Sequence, residues 1–350
     1  MATMQALLRV APKTIRMGEL PIPKPGPGEA VLKVTLTTVC GSDVHVLGWP
    51  LPGDGPIAMG HEAVGVITAL GEGIEGFAEG DRATVSCLSP CGRCVGCQTG
   101  GPGSACTHPR GGFQFGNLIH GCQAEYLLVP FAQFNMARVP AEVTDEQALF
   151  AGDIMSTGLG VCERAGVGPG DSVAVFAQGP LGLCATAGAR LLGAGLIVAV
   201  DAIPERLAMA RRLGATVSLS PADGDVPRRV RELTEGRGVD VAIEAVGTQP
   251  TFEMAAKSCR VGGAVGSLGV YGGVKALSLP VTVNFYHRRI VTTMCPSGSE
   301  RLRRMLEIVR HGRMDLTPLY THRMRLGQME EAYRLFMEDK KTVLKIAVTP

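Results

Sequence analysis

Residues 89–106, SPCGRCVGCQTGGPGSAC, place Cys91, Cys94 and Cys97 at C-x2-C-x2-C spacing and bring in Cys106 after eight more residues. Four thiolates on a short backbone, which the intervening glycines let turn sharply, can converge tetrahedrally on one ion. Zinc is the metal for which four cysteines alone make a closed structural site. An iron–sulfur cluster uses the same ligands, but no other feature of the chain points to electron transfer. Unliganded or redox thiols are the remaining reading. A second set is dispersed: Cys40, Ser42, Asp43 and His45 in TVCGSDVH, His61 and Glu62 in MGHEAVG, and Asp153 in FAGDIMSTG. Cys, His and a carboxylate suffice for a zinc that keeps one position open to substrate. Singly, each has a plain alternative as a buried thiol, a core imidazole or a helix cap.

A third pattern suits an anionic cofactor. In SVAVFAQGPLGLCATAGARLLGAGLIVAVD a strand enters a glycine turn, a helix follows, and a second strand ends in Asp201. The turn, with Gly179, Pro180, Leu181 and Gly182, would deliver a pyrophosphate to the helix N-terminus. Gly179 and Gly182 fill the second and third glycine places of G-x-G-x-x-G, and Ala177 stands at the first, which it can occupy if its φ stays negative. Asp201 lies at the spacing of the acid that binds the adenosine ribose diol, and its charge would repel a 2′-phosphate, so NAD is expected over NADP. Arg206 reads equally as a solvated helix charge or as a group beside the adenosine.

These residues need elements to position them. The first 150 or so residues read as short β segments broken by Gly and Pro. From about residue 155 strands and helices alternate, the order of a parallel sheet covered on both faces. Two amphipathic helices and a strand close the chain. The expected class is therefore α/β. With 350 residues, a net charge of +2 and scattered basic groups, nucleic-acid binding has little support. No signal-like segment opens the sequence, and no apolar run of about 18 to 20 residues suggests a membrane span, so a cytoplasmic location is the default expectation. In such a chain, clustered cysteines point to metal rather than disulfides.

GHEAVGVITALGEGIEGFAEGDRA, CGSDVH, the four-cysteine loop and AQGPLG together resemble the zinc-dependent medium-chain alcohol dehydrogenases, over essentially the whole chain. The likeness is to the tetrameric bacterial secondary-alcohol branch. It implies a GroES-like irregular β catalytic domain over residues 1–155 and 297–350, and a Rossmann doubly wound parallel sheet over 156–296. It also implies two zinc ions: Cys40, His61 and Asp153 as catalytic ligands, with Glu62 able to join or exchange, and the four-cysteine loop as the structural site. That family usually has seven residues, not eight, before the last cysteine of the loop, a difference a Gly-Pro-Gly bulge would absorb. Ser42 and His45 match a proton relay, Thr157 a nicotinamide contact, and Leu268, Gly269 and Val270 the segment that receives the carboxamide. Trp49, Cys87, Phe113 and Phe115 are candidates for the substrate wall or for plain packing. The implied activity is hydride transfer between a small alcohol, secondary favoured, and NAD, by a homotetramer. A polyol dehydrogenase on the same fold and a non-catalytic zinc- and dinucleotide-binding protein are the rival readings.

Overall fold

The computed structural model describes residues 2–99, 103–279, 281 and 287–350. The chain divides into two compact units, Met1–Ser156 with Cys295–Pro350, and Thr157–Met294.

In the first unit the strand Ala30–Thr38, buried on both faces with only Lys33 exposed, is the one around which a seven-stranded sheet is built. Ala63–Leu70 pairs antiparallel on one side of it, and the C-terminal strand Lys345–Thr349 pairs with its last residues, Thr37 and Thr38. The end of the chain is thereby placed beside Val39 and Cys40. A three-stranded sheet, Thr14–Pro21, Thr3–Ala11 and Ile57–Ala58, carries the segment that runs on to His61. The helix Met329–Glu338 buries Met329, Ala332 and Tyr333 against Leu7, Val39, Met59 and Ile346.

Among the described residues the second unit is built on one six-stranded parallel sheet. Its strand order is Val217–Leu219, Leu196–Val200, Ser172–Phe176, Val239–Glu244, Cys259–Ser267 and Arg289–Thr292. Numbered along the chain within the unit, this is the 3-2-1-4-5-6 order of a doubly wound fold, whose ligands bind beyond the carboxyl ends of the strands where the order reverses. Proline in the first turn starts Pro180–Leu191 and Pro204–Leu213, and Gly214 ends the latter with φ 122°.

Asp240 ties three neighbouring strands together. It accepts from the Ser172 N–H at 2.8 Å and the Ser172 hydroxyl at 2.6 Å, and it pairs with Arg260 Nε at 2.7 Å. Burial raises the affinity of this carboxyl for a proton, but the Ser172 donors and Arg260 outweigh it and hold the group at about 2. Its pKa is therefore depressed on folding, so its contribution is present above the unfolded value near about 4 and is lost as pH falls toward about 2. Asp240→Asn should lower stability at pH 7 by about 1–2 kcal/mol, and denaturant titrations at pH 7 and below pH 4 should show the gap from the unmodified chain closing in acid.

Candidate metal centre and dinucleotide site

Cys40 is the N-cap of the helix Gly41–Leu47, and its N–H donates to Asp43 Oδ2 at 2.9 Å. The other Asp43 oxygen meets His61 Nδ1 at 2.8 Å. With Nδ1 so engaged, His61 turns Nε2 inward, 3.3 Å from Asp153 Oδ2, and Cys40 Sγ lies 3.6 Å from the same oxygen. Ligands on a zinc tetrahedron at ordinary bond lengths stand about 3.3 Å (N to O) and about 3.5 Å (S to O) apart, so the donor atoms fit that ion. Ser42 Oγ lies 3.2 Å from Cys40 Sγ and 3.1 Å from His61 Nε2.

Glu62 adds a fourth donor to the cluster. Its Oε1 pairs with Lys345 Nζ at 2.5 Å, both side chains being 1% exposed, while its buried Oε2 has no hydrogen-bond partner. A buried carboxylate that clusters with three ligand atoms and leaves one oxygen without a hydrogen-bond partner suits a cation. The electrostatics agree. Burial alone would lower the proton affinity of His61, but Asp43 and Asp153 hold it well above the ordinary value. Burial likewise pushes the Cys40 thiol up, and the Glu62 and Asp153 charges add to that. For Lys345, burial acts downward but Glu62 and Cys40 outweigh it, keeping the ammonium charged. The pocket concentrates negative groups that a divalent ion would satisfy.

In the loop, the donor atoms of Cys91, Cys94, Cys97 and Cys106 all lie within 4.8 Å of one another. Cys94 Sγ is 3.5 Å from Cys97 Sγ and 3.9 Å from Cys106 Sγ, bracketing the edge of about 3.8 Å in a zinc–tetrathiolate tetrahedron. Backbone N–H groups point at sulfur: Thr107 at Cys94, and Cys91 at Cys106. The bonds from Thr107 and Cys97 draw the Cys94 thiol down to about 5. A Cβ at Gly111 would lie 2.2 Å from Cys106 Sγ, so glycine there is what admits the last cysteine. Gly101 and Pro102, where the extra residue was expected to bulge, lie outside the described residues.

At the nucleotide turn the structure corrects one expectation. Ala177 has φ 74°, not a negative value, and its carbonyl lies where a Cβ at Gly182 would approach it to 1.9 Å, so position 182 requires glycine. Gly179 caps the helix Pro180–Leu191, and a Cβ there would meet only Arg206 Nη1, at 3.9 Å, within 4 Å. That glycine leaves open space at a helix N-terminus, where an anion fits. Asp201 ends its strand with Oδ2 accepting from the Gln178 N–H at 2.6 Å and Oδ1 from the Ile203 N–H at 2.8 Å. Across the switch point, Leu268 N–H donates to Glu244 O at 2.9 Å, and Gly269 packs so closely on Gly247 that a Cβ would reach its nitrogen at 2.0 Å. Val270 is exposed and Thr157 is buried in the first turn of Ile154–Ala165.

The profile of the alcohol dehydrogenase GroES-like domain matches residues 26–141, and that of the zinc-binding dehydrogenases matches residues 180–311. An alcohol dehydrogenase of Cupriavidus necator is 43% identical over 100% of this chain and 99% of its own. The NADP-dependent isopropanol dehydrogenase of Thermoanaerobacter brockii is 33% identical over 93% of this chain and 94% of its own. Among solved structures, an alcohol dehydrogenase from Thermus sp. ATN1 superposes with a TM-score of 0.88 at 33% identity, covering 99% of both chains. The chain belongs to the zinc-dependent medium-chain alcohol dehydrogenases. It is a zinc-dependent oxidoreductase that acts on a small-molecule alcohol with a nicotinamide cofactor.

In this dehydrogenase the sequence candidates for the substrate wall separate. Phe113 stands edge-on to His61 at 5.4 Å and to Trp49 at 6.4 Å between ring centroids, and Trp49 is 41% exposed. Cys87 is buried with Leu88 and Cys295 against Phe113. Phe115 is no wall residue: it is sunk among Leu32, Val34, Ile67 and Met136 in the sheet core. His45 lies on the exposed face of its helix. Asp43 was named in the sequence but not as the partner of His61, and Lys345, Leu88 and Cys295 were not singled out. Asp43 carries the signal of a capping box, three residues after the N-cap. Lys345 offers only the weak signal of a cation inside the apolar run VLKIAV. An alanine at positive φ costs about 1 kcal/mol against glycine. Ala177→Gly should therefore raise the unfolding free energy by up to about 1 kcal/mol, and a melting point at or below that of the unmodified chain would count against strain at this turn.

Proposed function

We propose that this dehydrogenase interconverts a small secondary alcohol and its ketone using NAD, with Cys40, His61 and Asp153 as ligands of a catalytic zinc and Glu62 poised to exchange. The convergence of those donor atoms, at 3.3 and 3.6 Å, supports the reading most. When bound, the zinc supplies Lewis acidity to the alcohol oxygen and the nicotinamide supplies the hydride acceptor. The chain's own residues do the rest. Asp43 fixes the tautomer of His61. Ser42, against the ligand sulfur and imidazole, receives the proton, and His45 on the exposed face of the same helix hands it to water. Phe113, Leu88, Cys87 and Cys295 offer apolar surface and no partner for extra hydroxyls, which favours a simple alcohol over a polyol. Thr157 and the segment Leu268, Gly269 and Val270 hold the nicotinamide, and Gly179, Pro180, Leu181, Gly182 and Arg206 hold the pyrophosphate side. Cys91, Cys94, Cys97 and Cys106 hold a second, structural zinc. Eleven cysteines with no disulfide among the described residues suit a reducing, cytoplasmic setting. Self-association into a homotetramer is supported by the edge strand Arg289–Thr292, where Ile290 is exposed, and by exposed Met294 beyond it.

The ligand role of Asp153 is tested by two substitutions that a capping role would rank oppositely. Asp153→Cys should retain zinc and measurable alcohol oxidation, because thiolate suits a tetrahedral N/S site, whereas Asp153→Asn should lose most zinc and activity. Asparagine caps a helix about as well as aspartate and cysteine does not. A zinc-replete, active Asn variant beside an inactive Cys variant would overturn the assignment.

Cofactor choice follows from Asp201, a nearly buried carboxylate held by two backbone donors. A 2′-phosphate beside it should cost at least about 1.4 kcal/mol, so kcat/KM with NAD should exceed that with NADP at least about tenfold. Asp201→Gly should narrow the ratio. Equal efficiencies in the unmodified enzyme would refute the preference, which the NADP-dependent isopropanol dehydrogenase relative makes a sharp test.

A further inference from the structure

Glu244, the last residue of the strand Val239–Glu244, is fully buried at the carboxyl end of the parallel sheet. Its Oε1 accepts three hydrogen bonds, from the Val246 N–H at 2.7 Å, the Gly247 N–H at 2.8 Å and the Thr251 hydroxyl at 2.8 Å. Its Oε2 accepts from the Tyr271 hydroxyl at 2.9 Å, and the phenol oxygen lies 2.8 Å from Ser267 Oγ. Burial is the main influence that raises the hold of Tyr271 on its proton, so the phenol stays a donor at neutral pH. Taking a carboxyl out of water is costly unless hydrogen bonds replace those of the water, and packing alone would put an apolar side chain here. The donors come from two loops that follow neighbouring strands: residues 245–247 with the first turn of Gln249–Ser258, and residues 268–271. One carboxyl group therefore splints both. Close packing reinforces it, since a Cβ at Gly269 would lie 2.6 Å from Glu244 Oε2, and one at Gly247, where φ is 93°, would lie 2.5 Å from Val270 O.

We propose that Glu244, acting through Tyr271, is a positioning residue for the nicotinamide, because it fixes the segment Leu268, Gly269 and Val270 against the neighbouring loop. This rests on the reading, proposed above, that the segment receives the carboxamide. Glu244 acts on the reaction only through where that segment lies. Its loss should loosen the nicotinamide half of the cofactor and spare the adenosine half, which Asp201 and the glycine turn hold.

The test compares NADH with ADP-ribose, which lacks the nicotinamide, by calorimetric titration of the full chain. Tyr271→Phe and Glu244→Ala should each weaken NADH at least about tenfold, the worth of about one buried hydrogen bond, and leave ADP-ribose within about twofold. The same variants should lower kcat, and the deuterium isotope effect on alcohol oxidation should rise as hydride transfer becomes limiting. Glu244→Gln should restore most of the loss, because its amide oxygen can still accept on one side while its NH2 donates to the phenol oxygen, which turns its own hydrogen to Ser267. Tyr271→Phe carries the test should Glu244→Ala fail to fold. Equal weakening of both ligands, or no loss of NADH affinity in either variant, would overturn the proposal. Val270→Trp, at an exposed position, separates this from failure of the reading beneath it. The indole should weaken NADH alone if the segment borders the nicotinamide; if it weakens neither ligand, the reading and the proposal fall together.

Discussion

A histidine becomes a metal ligand only in one orientation and one tautomer, and the 2.8 Å contact between Asp43 and His61 Nδ1 sets both. Much of the first unit is arranged around that contact. Asp43 is held by the Cys40 N–H and by Gln123 Nε2, and Gln123 in turn accepts from the Tyr333 hydroxyl at 2.9 Å. Tyr333 is fully buried on a helix some three hundred residues along the chain from Cys40. The C-terminal segment therefore belongs to the site's support as much as the strands that carry its ligands.

The same logic explains a buried lysine. An ion pair as enclosed as Glu62 and Lys345 gains little over an apolar pair, since desolvating two charges offsets most of their attraction. Removing one partner would leave an uncompensated charge, so the pair is held together once formed. Its value lies in what it does to the neighbours. Lys345 ties down one oxygen of Glu62, a carboxylate of the donor cluster, and leaves the other without a hydrogen-bond partner. The ammonium arrives there because Lys345–Thr349 pairs with the end of Ala30–Thr38, directly before Cys40. Sheet register, and not local sequence, delivers the charge.

That distinction governs what could be read from the sequence. The four-cysteine loop and the glycine turn were legible because their residues lie within about twenty positions of each other, and short-range geometry is encoded in spacing. The alternation of strands and helices likewise gave the parallel sheet, although the final edge strand Arg289–Thr292 and the seven-residue helix Gly41–Leu47 are too short to leave a clear period. Asp153 and Lys345 were another matter. Each reaches the cluster through long-range pairing, and neither carries a local pattern that names its neighbour. Phe115 shows the converse error: an aromatic close in sequence to Phe113 faces the sheet core, because the chain bridges back on itself between Phe115 and Ile119. Ala177 shows that a motif can persist where its first glycine is replaced: the alanine takes the positive φ of the turn, while the close approach of Gly182 to its carbonyl still requires glycine there.

Asp153 lies where the hardness of the donors changes. On one side it faces a mixed set of thiol and imidazole; on the other, two thiols that no disulfide removes. A carboxylate holds zinc less selectively than a thiolate would, so geometry must supply the selectivity that the donor atom does not. The 3.3 and 3.6 Å separations from His61 and Cys40 match a tetrahedral set, and the thiol and imidazole beside the carboxylate disfavour a hard ion such as calcium.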